Sequence, residues 1–382
     1  MLHFTRTEFA QRREAACRAM AARGLDGLLL FRQESLYYLT GFDTFGYVFF
    51  QCLHLAADGR MVLLTRRPDL EQARLTSVID DVRIWVDREG ANPAEELKAI
   101  LAERGVQGGR LGVEYEAYGL TGRNARRLDA ALDGVATLVD ASDLVSRLRL
   151  VKSPAEINYV RRAAALADDA LDEAHRLAHP GADEAEILAA MQGAVLRGGG
   201  DYPGNPFIIG SGDHALLCRY HAGRRRLDAE DQLTLEWAGS YRHYHACLMR
   251  TIPIGRASEL HRRYHQVATD AMTAVTAEFR TGRTVGDAYA AHARVFDAAG
   301  LASWRMNACG YSLGTTFQPN WMDVPMIYAD EPTVIEPGMV FFLHMILADR
   351  DTNTAMCPGQ TLLTTETGPE ILSRHPLDLQ VG

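Results

Sequence analysis

Residues 147–157 read RLRLVKSPAEI, and this stretch decides how the rest of the chain is divided. Ser153 can cap a helix, and Pro154 suits the first turn of that helix. Glu156, three residues after Ser153, completes a capping box. Apolar residues then recur at helical spacing until Pro180 and Gly181 stop the pattern. A helix that starts so abruptly predicts the beginning of a new domain.

On the N-terminal side of this boundary, strand and helix patterns alternate. Apolar runs typical of buried strands lie at 27–31, 61–65 and 110–114, with helical patterns at 8–23 and 93–103. Such alternation predicts an α/β domain over residues 1–148.

On the C-terminal side, helices and strands are grouped. Helical patterns lie at 154–179, 183–196, 258–279 and 285–299, and strand patterns at 207–209, 232–237, 241–254, 339–347 and 360–365. We therefore predict a second, mixed domain over residues 149–382, which makes the fold class α/β (α+β) overall.

Composition limits the classes of function. The chain has 382 residues, 47% hydrophobic and 23% charged, which is ordinary globular usage and excludes disorder and coiled coil. The formal net charge is −9, so the chain as a whole repels phosphate backbones. The one dense basic stretch, Arg224–Arg226, is followed closely by acidic residues and is typical of a solvated turn. We expect no nucleic-acid partner.

Neither a signal peptide nor a membrane segment is visible in the sequence. The first ten residues include Arg6 and Glu8, and no apolar run reaches the ~18 residues that a membrane span needs. The six cysteines are scattered without a CxxC pair, as in proteins of a reducing compartment. We expect a cytoplasmic protein with no membrane partner.

Two clusters of polar residues could carry chemistry. On a strand, His243 and His245 would share one face, where they could hold a metal or simply meet solvent. Glu236 follows the apolar Leu233 and Leu235, so its carboxylate should be half-buried and need a cationic partner or a raised pKa. A salt bridge and a catalytic role are both open for Glu236.

Two further positions stand out. Arg219 and His221 lie in a segment that reads as a polar loop or as part of a site. His344 interrupts the apolar run 340–347, where a histidine must find hydrogen-bond partners. These positions make a pocket plausible without naming its reaction.

Four motifs, in order along the chain, resemble those of the creatinase/prolidase/aminopeptidase P superfamily. They are YLTGF at 38–42, LRLVKSPAEI at 148–157, EPGMV at 336–340 and LLTTETG at 362–368. The resemblance implies a creatinase-like N-terminal domain and a C-terminal catalytic domain with the pita-bread fold.

The peptidases of this superfamily bind two metal ions through two Asp, one His and two Glu. Aligned motif by motif, those positions fall here at Glu236, Cys247, Tyr311, His344 and Gly359. One carboxylate among five cannot build a dinuclear site, so a peptidase is disfavoured and we expect no metal or other cofactor. A single zinc ion on Glu236, Cys247 and His344 remains open.

Metal-free members of the superfamily hydrolyse C–N bonds, as creatinase does. The active-site His of creatinase falls nearest Arg219, and its two substrate-holding Glu fall at Met249 and His344, so a creatinase is doubtful. Segments 204–212, 215–221, 233–239 and 241–245 are instead most similar to the ectoine hydrolases. That resemblance implies a homodimer that opens the cyclic amidine of ectoine, a small zwitterion, to N-acetyl-L-2,4-diaminobutyrate.

The resemblance also suggests roles for individual residues. Glu236 would pair with the amidinium and act as nucleophile or as base toward water. The candidates for proton transfer are His221, His243, His245 and His344. The candidates for substrate binding are Arg219 or Arg250 for the carboxylate, Phe31, Tyr47 and Trp237 for an aromatic wall, and Tyr311. Phe31 and Tyr47 would come from a second subunit.

Three other functions remain open. They are a metal-dependent Xaa-Pro peptidase with an unusual site, a C–N hydrolase for another cyclic or guanidino compound, and a pita-bread binding protein without catalytic activity.

Overall fold

A computed structural model describes residues 1–219 and 223–382 of the chain. Its contacts divide the chain into two compact units, unit 1 (Met1–Arg149) and unit 2 (Leu150–Gly382). No helix in these described ranges is long and apolar enough to cross a membrane. All six cysteines are free thiols.

Unit 1 is built from helices on both faces of a mixed sheet. Its helices are α1 (Arg6–Ala22), α2 (Gln33–Thr40), α3 (Leu70–Thr76), α4 (Pro93–Glu103), α5 (Gly122–Leu132) and α6 (Leu144–Leu148). Its strands are β1 (Gly27–Leu30), β2 (Cys52–Ala56), β3 (Met61–Arg66), β4 (Val82–Trp85), β5 (Arg110–Val113) and β6 (Thr137–Asp140), in the sheet order β4-β3-β2-β1-β5-β6. Successive side chains of β1 enter separate cores on the two faces, Leu28 on one and Leu29 on the other.

Unit 2 is an antiparallel sheet with long helices against it. Its described helices are α7 (Pro154–Leu177), α8 (Glu184–Arg197), α9 (Glu259–Glu278) and α10 (Val285–Ala298). Its described strands are β7 (Ile208–Ser211), β8 (Asp231–Tyr241), β9 (Tyr244–Ile254), β10 (Ala308–Ser312), β11 (Asp323–Tyr328), β12 (Val340–His344), β13 (Leu347–Asp349), β14 (Thr354–Met356), β15 (Gly359–Thr365) and β16 (Gly368–Ile371). The main sheet runs β11-β10-β12-β15-β9-β8-β7, with β16 beside β15.

Helix α7 begins with the predicted capping box. Ser153 Oγ accepts from the Glu156 N–H over 3.3 Å, and the Ser153 N–H donates to Glu156 Oε2 over 2.9 Å. The helix then lies so close to β8 that a Cβ at Gly239 would stand 1.9 Å from the Ala163 carbonyl oxygen. Glycine at this position is what lets α7 cover one face of β8.

The predicted strand over 339–347 is interrupted in the structure. Strand β12 ends at His344, and the chain resumes as β13 at Leu347 in a separate two-stranded sheet. The turn is fixed because the Met345 N–H donates to the Pro358 carbonyl over 2.9 Å. His344 therefore lies at the end of a strand of the main sheet.

Candidate active site

Strands β8 and β9 place two of the five aligned positions on one face of the sheet. In their antiparallel register Glu236 lies opposite Met249, and Ala238 lies opposite Cys247. Paired residues point to the same face, and so do residues two apart on one strand. Glu236 and Cys247 therefore share the face that is turned away from α7.

The other three positions join them from β10, β12 and β15. Gly359 pairs with both Met249 and His344, which brings the end of β12 next to β9. Tyr311 donates its hydroxyl hydrogen to Glu236 Oε1 over 3.1 Å, and its ring centre lies 5.8 Å from that of His344. The five positions converge in space although the residue types differ from those of the peptidases.

Glu236 is a buried carboxylate whose charged form is stabilised by few neighbouring groups. Glu236 is 8% exposed, and burial raises the pKa of its carboxyl group to about 7. The Tyr311 hydrogen bond and the positive charge of the exposed Arg219 both act in the opposite direction, toward a lower pKa. A carboxyl group with a pKa near neutrality can exchange a proton during a reaction at physiological pH.

The thiols around Glu236 are not activated nucleophiles. Burial and the nearby Glu236 charge raise the pKa of Cys247 well above its usual value, and the pKa of Cys218 is raised for the same two reasons. Burial also raises the pKa of Cys357. A cysteine nucleophile needs a thiolate, so these three side chains stay protonated and act as packing groups.

His344 is an uncharged histidine next to the Tyr311 ring. It is 8% exposed, and burial lowers its pKa to about 4. Its Nδ1 is buried without a hydrogen-bond partner among the described residues. A neutral imidazole at this place can exchange a proton with a ligand that reaches it.

The donor set does not fit the two metal ions of the peptidases. Tyr311 and Gly359 offer no carboxylate, and a Cβ at Gly359 would lie 2.7 Å from Phe342 Cζ and 2.8 Å from Met249 Cβ. The space that a glutamate would need at that position is filled by these two side chains. In the ranges 1–219 and 223–382, no group of three or more His, Cys, Asp or Glu side chains could hold a metal ion.

His245 is held in a structural network and does not contact Glu236. It is fully buried, its Nε2 accepts from the Gly204 N–H over 2.8 Å, and its Nδ1 lies 3.0 Å from Thr316 Oγ1. Burial lowers its pKa to about 3. It pairs with Ser240, four residues along β8 from Glu236, which places it about 13 Å away at strand spacing. These contacts therefore contradict the prediction that His245 transfers a proton to substrate.

His243 does not lie on a strand. Arg242 and His243 both have positive φ (53° and 63°) and form the two-residue turn between β8 and β9. The His243 ring stacks on Phe317 with ring centres 4.2 Å apart. The expectation that His243 and His245 share one strand face is wrong, because the turn intervenes.

Trp237 and Arg250 point to the opposite face from Glu236. Trp237 follows Glu236 on β8, and its Nε1–H donates to the Ala167 carbonyl of α7 over 2.9 Å. Arg250 pairs with Leu235, and its Nη1 donates to the carbonyls of Met249 and Gly359 over 2.8 and 2.7 Å. Strand alternation therefore removes Trp237 from the aromatic wall and Arg250 from the carboxylate-binding group.

The two predicted residues of unit 1 are both buried there. Phe31 is 1% exposed and packs edge-on against Phe50 with ring centres 5.3 Å apart, as a core aromatic does. Tyr47 is also buried, and burial together with the nearby Glu34 raises its pKa to about 12. Their contact with substrate stays a prediction. His221 lies outside the described residues.

Sequence reasoning missed Trp321 and Phe342. Trp321 Nε1–H donates to the Tyr311 hydroxyl over 2.8 Å, and the Phe342 ring lies 5.4 Å from the Tyr311 ring. Phe342 could have been found, because it lies two residues before His344 on one strand and so shares its face. Trp321 comes from an irregular segment that carries no periodic signal.

The family of the chain is shown by comparison with known proteins. A model described as metallopeptidase family M24 matches residues 158–365, and the creatinase/prolidase N-terminal domain matches residues 12–151. The chain therefore belongs to metallopeptidase family M24, with a creatinase-like N-terminal domain and the pita-bread catalytic domain that the four motifs predicted.

Individual relatives span the whole chain. One is named ectoine hydrolase, from Halomonas elongata, and is 27% identical over 100% of this chain and 98% of its own length. Another, from Sinorhizobium fredii, is named uncharacterized hydrolase/peptidase y4tM and is 28% identical over 100% and 99%. Among solved structures, dipeptidase PepE from Mycobacterium ulcerans superposes with a TM-score of 0.86 at 26% identity, covering 99% of each chain. These similarities define a hydrolase or peptidase family.

Proposed function

We propose that this protein is a hydrolase that opens the cyclic amidine of ectoine to N-acetyl-L-2,4-diaminobutyrate without a metal ion. The observation that carries the proposal is Glu236, a buried carboxylate that occupies the place of a metal ligand and is held by Tyr311. The similarity to a protein named ectoine hydrolase along the full chain supports it.

Glu236 suits a cationic substrate. An amidinium group can donate paired hydrogen bonds to a carboxylate, and such a charge-assisted pair is strongest where water is excluded. Binding of a cation next to Glu236 would lower its pKa, so the carboxylate would ionise when the substrate arrives. Arg219, whose charge already acts on Glu236, would hold the carboxylate at the other end of the zwitterion.

The reaction consumes one water. In the base mechanism, Glu236 takes a proton from water while the oxygen bonds to the amidine carbon. The ring C–N bond then breaks, the departing nitrogen receives a proton, and an acetamide remains. In the nucleophile mechanism, a Glu236 oxygen bonds to the amidine carbon and the ring C–N bond breaks, which leaves that carbon attached to the enzyme. Water then bonds to the same carbon, the bond to Glu236 breaks, and the acetamide and the free carboxylate remain. Both mechanisms need a proton donor for the departing nitrogen.

His344 is the described histidine best placed to exchange that proton. Its ring is next to Tyr311, which contacts Glu236 directly. Because His344 is uncharged at neutral pH, it would first accept the proton that Glu236 takes from water and then pass it to the departing nitrogen. His245 is fully engaged elsewhere, and His243 lies in the β8–β9 turn. His221 stays a candidate from the sequence alone.

The other functions are less well supported. A dinuclear Xaa-Pro peptidase would need carboxylates where Tyr311 and Gly359 stand, and Phe342 and Met249 fill the space beside Gly359. A binding protein without activity gives no reason for a buried carboxyl group whose pKa is raised to about 7. A C–N hydrolase for a related cyclic amidine is equally compatible with Glu236, and substrate comparison separates it from ectoine.

The test is turnover by protein treated with EDTA. We expect ectoine to be converted to an N-acetylated diaminobutyrate, with no dependence on added zinc or manganese. Glycyl-proline and creatine serve as the control substrates for the peptidase and creatinase activities, and both should remain unchanged. The homodimer is checked in the same preparation by light scattering, with about twice the 42.2 kDa chain mass expected.

A further inference from the structure

We infer that His245, Thr316 and Trp321 are positioning residues that act on Glu236 through Tyr311. Their buried hydrogen bonds run from the Gly204 N–H to the Trp321 backbone carbonyl, and then from the Trp321 indole to Glu236 Oε1, so the Trp321 residue itself joins the two parts of the series. The importance of this series for catalysis rests on the proposed role of Glu236. The series itself can be tested without a substrate.

The Gly204 end of the series determines the tautomer of His245. The Gly204 N–H can only donate, so His245 Nε2, which lies 2.8 Å away, must be the acceptor and carry no hydrogen. The hydrogen of the neutral ring is then on Nδ1, which faces Thr316 Oγ1 at 3.0 Å. His245 therefore donates to Thr316.

The hydrogen bond between Thr316 and the Trp321 carbonyl requires the same tautomer of His245. Thr316 Oγ1 lies 3.3 Å from this carbonyl oxygen, which can only accept. The single hydroxyl hydrogen of Thr316 is used in that bond. Thr316 must then accept from His245 Nδ1, so the two ends of the series require the same proton position.

The Trp321 indole fixes the direction of the last two bonds. Indole Nε1–H has no acceptor capacity, so it donates to the Tyr311 oxygen over 2.8 Å. The hydroxyl hydrogen of Tyr311 is left free to point at Glu236 Oε1, 3.1 Å away. Without the indole donor, the Tyr311 hydroxyl would lose one of the two hydrogen bonds that orient it and would keep only the bond to Glu236.

The packing of Gly204 holds the two segments together. A Cβ at Gly204 would lie 2.7 Å from the Asn320 carbonyl oxygen and 3.1 Å from Trp321 Cα. The loop that carries Gly204 therefore touches the backbone of the Trp321 segment directly. A shift of this loop would be transmitted to Trp321 by contact as well as through His245 and Thr316.

The series has one consequence for the reaction. It commits Oε1 of Glu236 to Tyr311 and leaves Oε2 to a ligand or to water. The indole N–H polarises the Tyr311 hydroxyl, so loss of this donor weakens the bond to Glu236. His245 and Thr316 act less directly, because they hold the backbone of the residue that carries the indole. The variants of remote members should therefore act on Glu236 in the same direction as Tyr311→Phe, by a smaller amount.

The test measures the ionisation of Glu236 by carbon NMR of glutamate side chains in substrate-free protein, with the signal assigned through Glu236→Gln. We expect Trp321→Phe and Thr316→Val to raise the pKa of Glu236 by roughly 0.3 to 0.5 unit. The control is Trp85→Phe, which removes a buried indole donor in unit 1 and should leave this pKa unchanged. An unchanged Glu236 pKa in both Trp321→Phe and Thr316→Val would overturn the inference.

Nitrogen NMR of the parent protein gives a second readout, which does not depend on whether a variant folds. The His245 ring should carry its hydrogen on Nδ1 and stay neutral at pH 6. A hydrogen on Nε2 would overturn the inference. Both measurements are made without ectoine, so failure of ectoine turnover would reject the proposed function and leave the hydrogen-bond series standing.

Discussion

The hydroxyl of Tyr311 donates a hydrogen bond to Oε1 of Glu236 over 3.1 Å, between two strands that are not neighbours in the sheet. In the peptidases of the family, these two positions hold metal ligands. Here a phenol and a carboxyl group meet directly in a hydrogen bond. Changes to either residue of this pair should therefore alter the reaction.

Glu236→Gln should remove the reaction and keep the fold. The amide has nearly the same shape and can still accept from Tyr311, but it can be neither base nor nucleophile. We expect kcat to fall at least ~100-fold while the far-ultraviolet circular dichroism is unchanged. Glu259→Gln, an exposed position at the start of α9, is the matched control and should behave as the parent. Near-native turnover by Glu236→Gln would refute both mechanisms.

Tyr311→Phe should move the pH dependence of the reaction. Its hydrogen bond favours the ionised form of Glu236 and lowers a pKa that burial has raised to about 7, so its loss raises that pKa further. Activity that needs ionised Glu236 is lost as the pH falls through this pKa. We expect the acidic limb of the kcat/KM profile to move to higher pH by about one unit. A shift to lower pH would show that the Tyr311 hydroxyl does not favour the ionised form of Glu236.

Gly359→Ala tests whether neighbouring side chains fill the space at Gly359, the position of the fifth metal ligand of the peptidases. The new Cβ would stand 2.7 Å from Phe342 Cζ and 2.8 Å from Met249 Cβ, and overpacking of this kind costs about 1 to 3 kcal/mol. We expect a lower Tm by differential scanning fluorimetry. Gly122→Ala is the control, because nothing lies within 4 Å of its added Cβ. An unchanged Tm in Gly359→Ala would mean that the space is open to a larger side chain.

Histidines buried without charge should make the protein less stable in acid. Burial lowers the pKa of His54 and His344 to about 4 and of His245 and His292 to about 3, from an ordinary value of 6.5. Below pH 6.5 the unfolded chain binds protons that the folded chain does not, so their contribution to stability is full above 6.5 and is lost as the pH falls toward 4. Glu236, with a raised pKa, acts in the opposite direction between its ordinary value of 4.5 and 7.

His54→Leu measures the contribution of one buried histidine to the pH dependence of stability. His54 is far from Glu236 in sequence and lies in unit 1. Both ring nitrogens of His54 are buried without a hydrogen-bond partner in the described structure. We expect the variant to gain up to about 2 kcal/mol of unfolding free energy over the parent at pH 5 relative to pH 8. Urea titrations at the two pH values give the difference. Equal effects at both values would show that His54 does not take part.

The sequence predicted the elements whose signals are local. Helix α4 begins at Pro93 and ends at Glu103 as expected, because Asn92 caps it and Gly105 follows its end. The capping box of α7 is also local, since Ser153 and Glu156 are three residues apart. Glu236 could be singled out because a carboxylate in an apolar strand stands out on its own.

Other features depend on contacts between distant parts of the chain. The turn at Arg242 and His243 has two positive φ angles without a glycine or asparagine, so its residues gave no turn signal. His245 is bound by Gly204 and Thr316, which lie 41 and 71 residues away. Such partners are set by the folded sheet, which is why His245 looked like a catalytic group in the sequence.

Metal-independent hydrolysis of ectoine can be followed directly by proton NMR of ectoine mixed with the purified, EDTA-treated protein. We expect the amidine methyl signal to be replaced by an acetamide methyl signal in the absence of metal. An unchanged spectrum, followed by conversion only after zinc or manganese is added, would contradict metal independence. A spectrum that stays unchanged with both metals as well would contradict ectoine as the substrate.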